Sequence, residues 1–205
     1  MKTIACSLLS LAALVAASVG MSSCSDSAYY AGQWQGNPET IQIQGASNAM
    51  ATITIDFAPT PGEKGRGNVN ISAVINASQP ASSDGIEQVY EANIVATASA
   101  SGSYVAEDRD YDDIIVSLNP STFNVNVDRD GVAFAQNALT EAQQPMLDSL
   151  TNVTAERWRK NITPVVRDIF NTYSTIEDIK VLHNDILKFE VGHKDYIFKR
   201  VGVPD

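Results

Sequence analysis

Cysteine is almost missing from this chain: 205 residues contain two, Cys6 and Cys24. Both lie in or just after an apolar N-terminal run, so nothing downstream carries a thiol. Disulfides, cysteine-ligated zinc, iron–sulfur clusters and a cysteine nucleophile are therefore excluded from any domain that follows. Basic residues are few. There are 14 Lys and Arg against 24 Asp and Glu, for a net charge of -10. No basic stripe exists to neutralise phosphates, which excludes nucleic acid as a partner. His183 and His193 are the only histidines, and nothing nearby supplies the three or four convergent ligands that zinc needs. The chain has no Gly-x-Ser-x-Gly elbow and no Gly-rich phosphate loop. These absences favour a protein that is not an enzyme and that holds no cofactor.

The N-terminus is an address. Lys2 supplies a positive start, residues 4–19 form an apolar run rich in Leu and Ala, and small residues follow up to Cys24. The run is short for a membrane-spanning helix and reads as an export signal over residues 1–23. Met21-Ser22-Ser23-Cys24 resembles the lipobox of bacterial lipoproteins, with Met21 where Leu is commonest and Ser23 where Gly or Ala is usual. That resemblance implies cleavage before Cys24 and lipidation of its thiol and amine. Buried acyl chains hold at ~0.8 kcal/mol per methylene, which makes such anchoring stable. Ser25, next to the cysteine, implies sorting to the outer membrane of a Gram-negative bacterium, with either face open. The acidic body repels an anionic surface, so membrane contact is expected through the lipid on Cys24 alone.

The charge is uneven. Residues 24–134 carry 4 positive and 14 negative side chains, residues 135–180 carry 5 and 6, and residues 181–205 carry 4 and 4. The same divisions show in the hydrophobic pattern. After a tether at 24–31, residues 32–134 alternate with period two. Ile53, Ile55 and Phe57; Val69, Ile71, Ala73 and Ile75; Tyr90, Ala92, Ile94, Ala96 and Ala98; Ile114, Val116 and Leu118; and Phe123, Val125 and Val127 each mark one face of a half-buried strand. Turn residues separate them: Pro59 to Gly62, Pro80 to Gly85, Asn119-Pro120-Ser121, and Asp128-Arg129-Asp130-Gly131 as a hairpin turn. Short links make neighbouring strands antiparallel. At about 135–175 the period becomes helical, with Pro145 and Pro164 as expected kinks or breaks and Thr154 and Thr163 as expected caps. Trp158, Ile162, Val165, Val166, Ile169 and Tyr173 form one apolar stripe, expected to be core. Strands return at residues 177–182 and 187–191 and at the end of the chain. A long one-sided antiparallel sheet must close or stack to hide its apolar face and its edges.

The segment Gly32-Gln33-Trp34-Gln35-Gly36 resembles the Gly-x-Trp opening strand of lipocalin-like barrels, and Asp195 to Val201 resembles their closing strand. The resemblance implies that Trp34 sits at a closed end under a late basic residue, for which Arg200 is the candidate. Gly32, Trp34 and Arg200 are then structural signature residues, not ligand contacts. The fold expected is mainly β: an antiparallel lipocalin-like barrel of about eight strands over residues 32–205, with a helical insertion before the last two or three strands. The insertion departs from the usual lipocalin order, so strand order and an open cavity do not carry over. The chain is most similar to small lipocalin-like lipoproteins of Gram-negative bacteria.

Three further features bear on chemistry. Asp108, Asp110 and Asp112 present oxygen ligands at alternate positions, as calcium loops do, but Asp113 stands where an EF-hand needs Gly and Asn119 where it needs Glu. The run reads as a solvated loop with those aspartates as calcium candidates. Carboxylates such as Asp56 and Glu91 could face each other across a barrel, but any chain this acidic offers such pairs. Inward alanines, Ala73, Ala92, Ala96 and Ala98, leave room either for a ligand or for the helical insertion. The functional expectation is a lipid-anchored, non-enzymatic envelope protein binding a small hydrophobic or amphipathic ligand in the barrel mouth. The rival is a structural or protein-interaction lipoprotein with a packed core.

Overall fold

The structure, a computed structural model, describes residues 30–81, 90–107, 112–135 and 144–202. The signal segment, Cys24, Asp108 and Asp110 lie outside these. Among the described residues ten strands and one α-helix follow in order: β1 Gly32–Gly36, β2 Glu39–Thr40, β3 Asn48–Pro59, β4 Arg66–Ala81, β5 Tyr90–Ala106, β6 Ile114–Leu118, β7 Asn124–Ala135, α1 Gln144–Thr172, β8 Thr175–Leu182, β9 Ile186–Val191 and β10 Lys194–Arg200.

All pairings are antiparallel, and they form a closed ring. β1 pairs β10 on one side and β3 on the other, through Trp34↔Arg200 and Trp34↔Ile55. β1 and β2 lie in line along β3, and β6 and β7 lie in line along the 17-residue β5. Each collinear pair counts as one broken strand, so the barrel is eight-stranded with the helix before its last three strands. The alternation read from sequence is what lines it. Ile53, Ile55, Phe57, Val69, Ile71, Ala73, Ile75, Ala92, Ile94, Ala96, Ala98, Leu187, Phe189 and Val191 are buried in one cluster. Val74, Val95 and Met50 alternate with them and face out.

Several local expectations are corrected. Asn119-Pro120-Ser121 does bend the chain, as a single 3-10 turn over Pro120–Thr122 whose Ser121 N–H donates to Asn119 Oδ1 at 3.0 Å. It does not reverse the direction, because β5 is long enough to pair both flanking segments. Asp128 to Gly131 is not a hairpin turn. β7 runs through it, and Val95 of β5 alone stands opposite residues 128–131, so the extra length is absorbed as a bulge. Among the described residues the helical insertion is one helix of 29 residues, Gln144–Thr172. Pro145 falls in its first turn, where a missing N–H costs nothing, and Thr154 is a buried interior residue instead of a cap. Thr163 is not a cap either: its hydroxyl donates to Arg159 O at 2.6 Å, bridging the turn that Pro164 weakens. Tyr30, placed in the tether by sequence, is fully buried.

The two ends are closed differently. At one end Tyr30, Phe57 and Tyr104 meet edge to face, with ring centroids 5.4 to 5.8 Å apart. At the other, α1 lies across the interior. It packs along β7 and reaches β4, two strands that flank β5, so it crosses the inner face of the sheet. Ala92, Ala96, Ala98 and Ala100 of β5 are the small residues over which it crosses. Asn161 Nδ2 donates to Gln44 O at 3.0 Å, tying the helix to the β2–β3 loop. The apolar stripe is core: Trp158, Ile162, Val166 and Tyr173 are buried with Ala155 and Phe170, while Val165 and Ile169 pack at its margin.

Candidate functional site

The barrel wall is thinnest where α1 enters it. β6 pairs β8 through two residue pairs only, Ile114↔Ile176 and Ile115↔Thr175. Beyond them the chain turns into α1, and β7 has α1 instead of a strand at its side. A cleft of about 280 Å³ opens at this seam, lined by Ala100, Leu118, Asn119, Pro120, Phe123, Arg167, Phe170 and Asn171. Its floor is apolar because Ala100 and Phe170 face the core. Phe123 and Phe170 meet edge to face at 6.0 Å. The Arg167 guanidinium lies 4.9 Å from the Phe123 ring centroid. A cation on an exposed ring face is worth ~0.5–1 kcal/mol, enough to order a long side chain partly but not to fix it.

A second groove of about 390 Å³ continues from Arg167 along the exposed face of α1, past Pro164, Thr163, Lys160 and Arg159. Helical spacing aligns these residues on one face. Arg159 meets Glu156 at 2.9 Å, and this hydrogen bond holds the exposed Glu156 carboxyl below its usual range. Among the described residues, Arg167 has no carboxylate partner, and Lys160 forms no close ion pair but contributes to holding Glu156 ionised. A cationic, part-apolar recess on a protein of net charge -10 is the most chemically distinctive surface here. Sequence reasoning missed it. The available signal was the charge distribution, since three of the cations of 135–180 gather at 157–160.

The residues singled out from sequence are distributed as follows. Trp34 is fully buried, donates its indole N–H to Tyr30 O at 2.8 Å and lies under Arg200, whose guanidinium is 4.1 Å from the ring centroid. Arg200 also donates to Ala31 O at 2.9 Å and to Asn184 O at 2.8 Å. Gly32 has φ +108, and a Cβ there would sit 2.7 Å from Arg200 Nη1, so both its backbone and its neighbour require glycine. Gly32, Trp34 and Arg200 thus form one structural unit. Of the calcium candidates only Asp112 lies among the described residues, and no group of three or more His, Cys, Asp or Glu side chains among those residues could hold a metal. Asp56 alternates with inward Ile55 and Phe57, so it faces out and cannot oppose another carboxylate across the interior. His193 lies in the β9–β10 turn with its side chain 3.3 Å from Glu190, and His183 lies in the β8–β9 turn. Among the described residues no helix is long and apolar enough to cross a membrane.

No protein-family model matches this chain, and no curated protein is similar to it.

Proposed function

We propose that this is an exported lipoprotein of the lipocalin-like kind, anchored through Cys24 to the outer membrane of a Gram-negative bacterium. It is not an enzyme, and it acts by binding at its outer wall instead of within the barrel. The observation that carries the last clause is the course of α1. Its inward face joins the strand residues in one continuous core, occupying the interior that a ligand in the mouth would use. The lipocalin-like reading rests on ring closure, on the Trp34 and Arg200 stack and on the aromatic plug beside it. The lipid reading rests on the N-terminal signal and gives the body an orientation. Cys24 is six residues before Tyr30, a reach of at most ~20 Å. The Trp34 end then faces the membrane, and the end covered by α1 faces away.

Two measurements test this. Cys24→Ser is expected to move the protein from the membrane to the soluble fraction; retention in the membrane removes the lipid anchor from the proposal. Ala96→Leu adds bulk where β5 meets α1. In a packed interior it costs ~1–3 kcal/mol of stability in urea denaturation. A hollow interior would accept it without loss, and binding would then return to the barrel mouth.

A further inference from the structure

We propose that the cleft between α1 and the β6–β7 break binds a compact aryl carboxylate, with the carboxylate on Arg167 and the ring against Phe123 and Phe170. This deepens the reading of the wall as the binding surface and rests on it.

Charge sets the sign of the ligand. Among the described residues Arg167 is the one charged residue lining the cleft, and it has no carboxylate partner there. Lys160 stands further along the same exposed face, but it and Arg159 both act on Glu156, so Arg167 is the cation left unmet. In a chain with ten more acids than bases, an unmet guanidinium over an apolar recess selects an anion and rejects a cation.

Geometry sets the headgroup. The guanidinium is planar and exposed beside Phe123, and its N–H groups suit the two parallel hydrogen bonds that a carboxylate accepts. Asn119 Oδ1 already accepts from Ser121 N and Oγ, so the free donor of that side chain is its amide N–H. It adds a second donor at the rim.

Volume sets the apolar part. About 280 Å³ lies just under the range typical of drug-sized ligand pockets, so a long acyl chain is too large. Phe123 and Phe170 already meet edge to face, which suits a third ring joining them in the same manner. Ala100 leaves the depth for it, at the point where β8 has parted from the wall.

The test is a titration of the chain from residue 24 onward with naphthoate, benzoate, naphthamide, naphthylmethylamine and inorganic phosphate, followed by calorimetry and by NMR of the two indole N–H signals. Naphthoate and benzoate are expected to bind, naphthamide at least tenfold more weakly, and the amine not at all. Phosphate alone is expected to bind too weakly to detect. Arg167→Gln should weaken naphthoate at least tenfold while lowering the melting temperature by no more than a few degrees, the cost of the lost contact with Phe123, and Arg167→Lys should restore part of the loss. No naphthoate binding at millimolar concentration, or equal affinity for naphthoate and naphthamide, overturns the proposal while the packed interior stands. Binding that survives Arg167→Gln and shifts the Trp158 indole signal places the ligand inside the barrel, and sinks both the cleft and the outer-wall reading.

Discussion

The two buried tryptophans of this barrel live in opposite surroundings. At the Trp34 end the indole N–H reaches Tyr30 O at 2.8 Å, and the ring is roofed by an arginine that itself donates to two carbonyls. Inside the helix-covered end, Trp158 is equally buried, yet its Nε1 has no hydrogen-bond partner among the described residues. The first end is held by a ladder of strand pairs, and its indole and guanidinium donors each have an assigned carbonyl. The second is held by shape, a helix laid over alanines, and it tolerates an unmet donor. An indole N–H left unpaired costs ~1–3 kcal/mol, so the helix-covered end is closed in spite of its polar chemistry. Removing the two indoles separates these cases. Trp34→Phe should lose ~2–4 kcal/mol in urea denaturation, because it strands the Tyr30 carbonyl and thins the stack under Arg200. Trp158→Phe deletes a donor that had no acceptor, and should lose only ~1–2 kcal/mol, the cost of the smaller ring. Equal losses would mean that a buried water serves Trp158, and the contrast between the ends would disappear.

The same contrast explains what the amino-acid sequence made legible. Period two is a direct image of a wall with one wet face, so Ile53 to Phe57 or Leu187 to Val191 announce both their strands and their inward sides. The glycine–tryptophan opening is also local, because Gly32 and Trp34 are two residues apart in the first strand, and Arg200 ends the last strand. Features built by tertiary contact were not legible. Asp128 to Gly131 has the composition of a turn, and only the length of β5 opposite makes it a bulge. Pro145 and Pro164 look like breaks, and only the packing of Trp158, Ile162, Val166 and Phe170 on the sheet keeps α1 whole. The cleft draws Leu118 and Phe123 from one broken strand, Ala100 from its neighbour and Arg167 from the helix, and no spacing in the chain encodes that meeting.

Pro164 is where the helix-covered end can be improved. Proline in a helix interior costs about 3 kcal/mol relative to alanine, and here it leaves the Lys160 carbonyl without its usual N–H donor. Part of that cost is offset by the stiffer unfolded chain that proline gives. Pro164→Ala should therefore stabilise the protein by about 1–2 kcal/mol, read as a higher urea midpoint. If α1 opens independently of the strand ladder, the gain will appear instead as slower amide exchange confined to Leu150–Tyr173 with no change in the global midpoint. That outcome would make the helix a separately opening plug on an already stable barrel, sharpening the difference between the ends.

Both ends also bury a phenol, and alkaline pH weighs one against the other. Burial pushes Tyr104 from the usual 10 up to about 12, with the hydrogen bond to the Tyr30 hydroxyl pulling it the other way. Tyr173 is pushed up as well, by burial first and then by Tyr196 and Glu39. A raised folded-state value means that the native protein holds the proton after the unfolded chain has begun to release it. The contribution is complete below the unfolded value near 10 and is lost as pH rises through the folded value, so for Tyr104 the window is between 10 and about 12. Each unit within it is worth ~1.4 kcal/mol at most, which puts the loss at roughly 1 kcal/mol by pH 11. Tyr104→Phe should flatten the fall of the urea midpoint between pH 9 and pH 11 by about that amount. A fall that Tyr104→Phe leaves unchanged and Tyr173→Phe abolishes would assign the alkaline weakness to the helix-covered end, where Tyr173 sits among Phe189 and Tyr196 at the exit of α1.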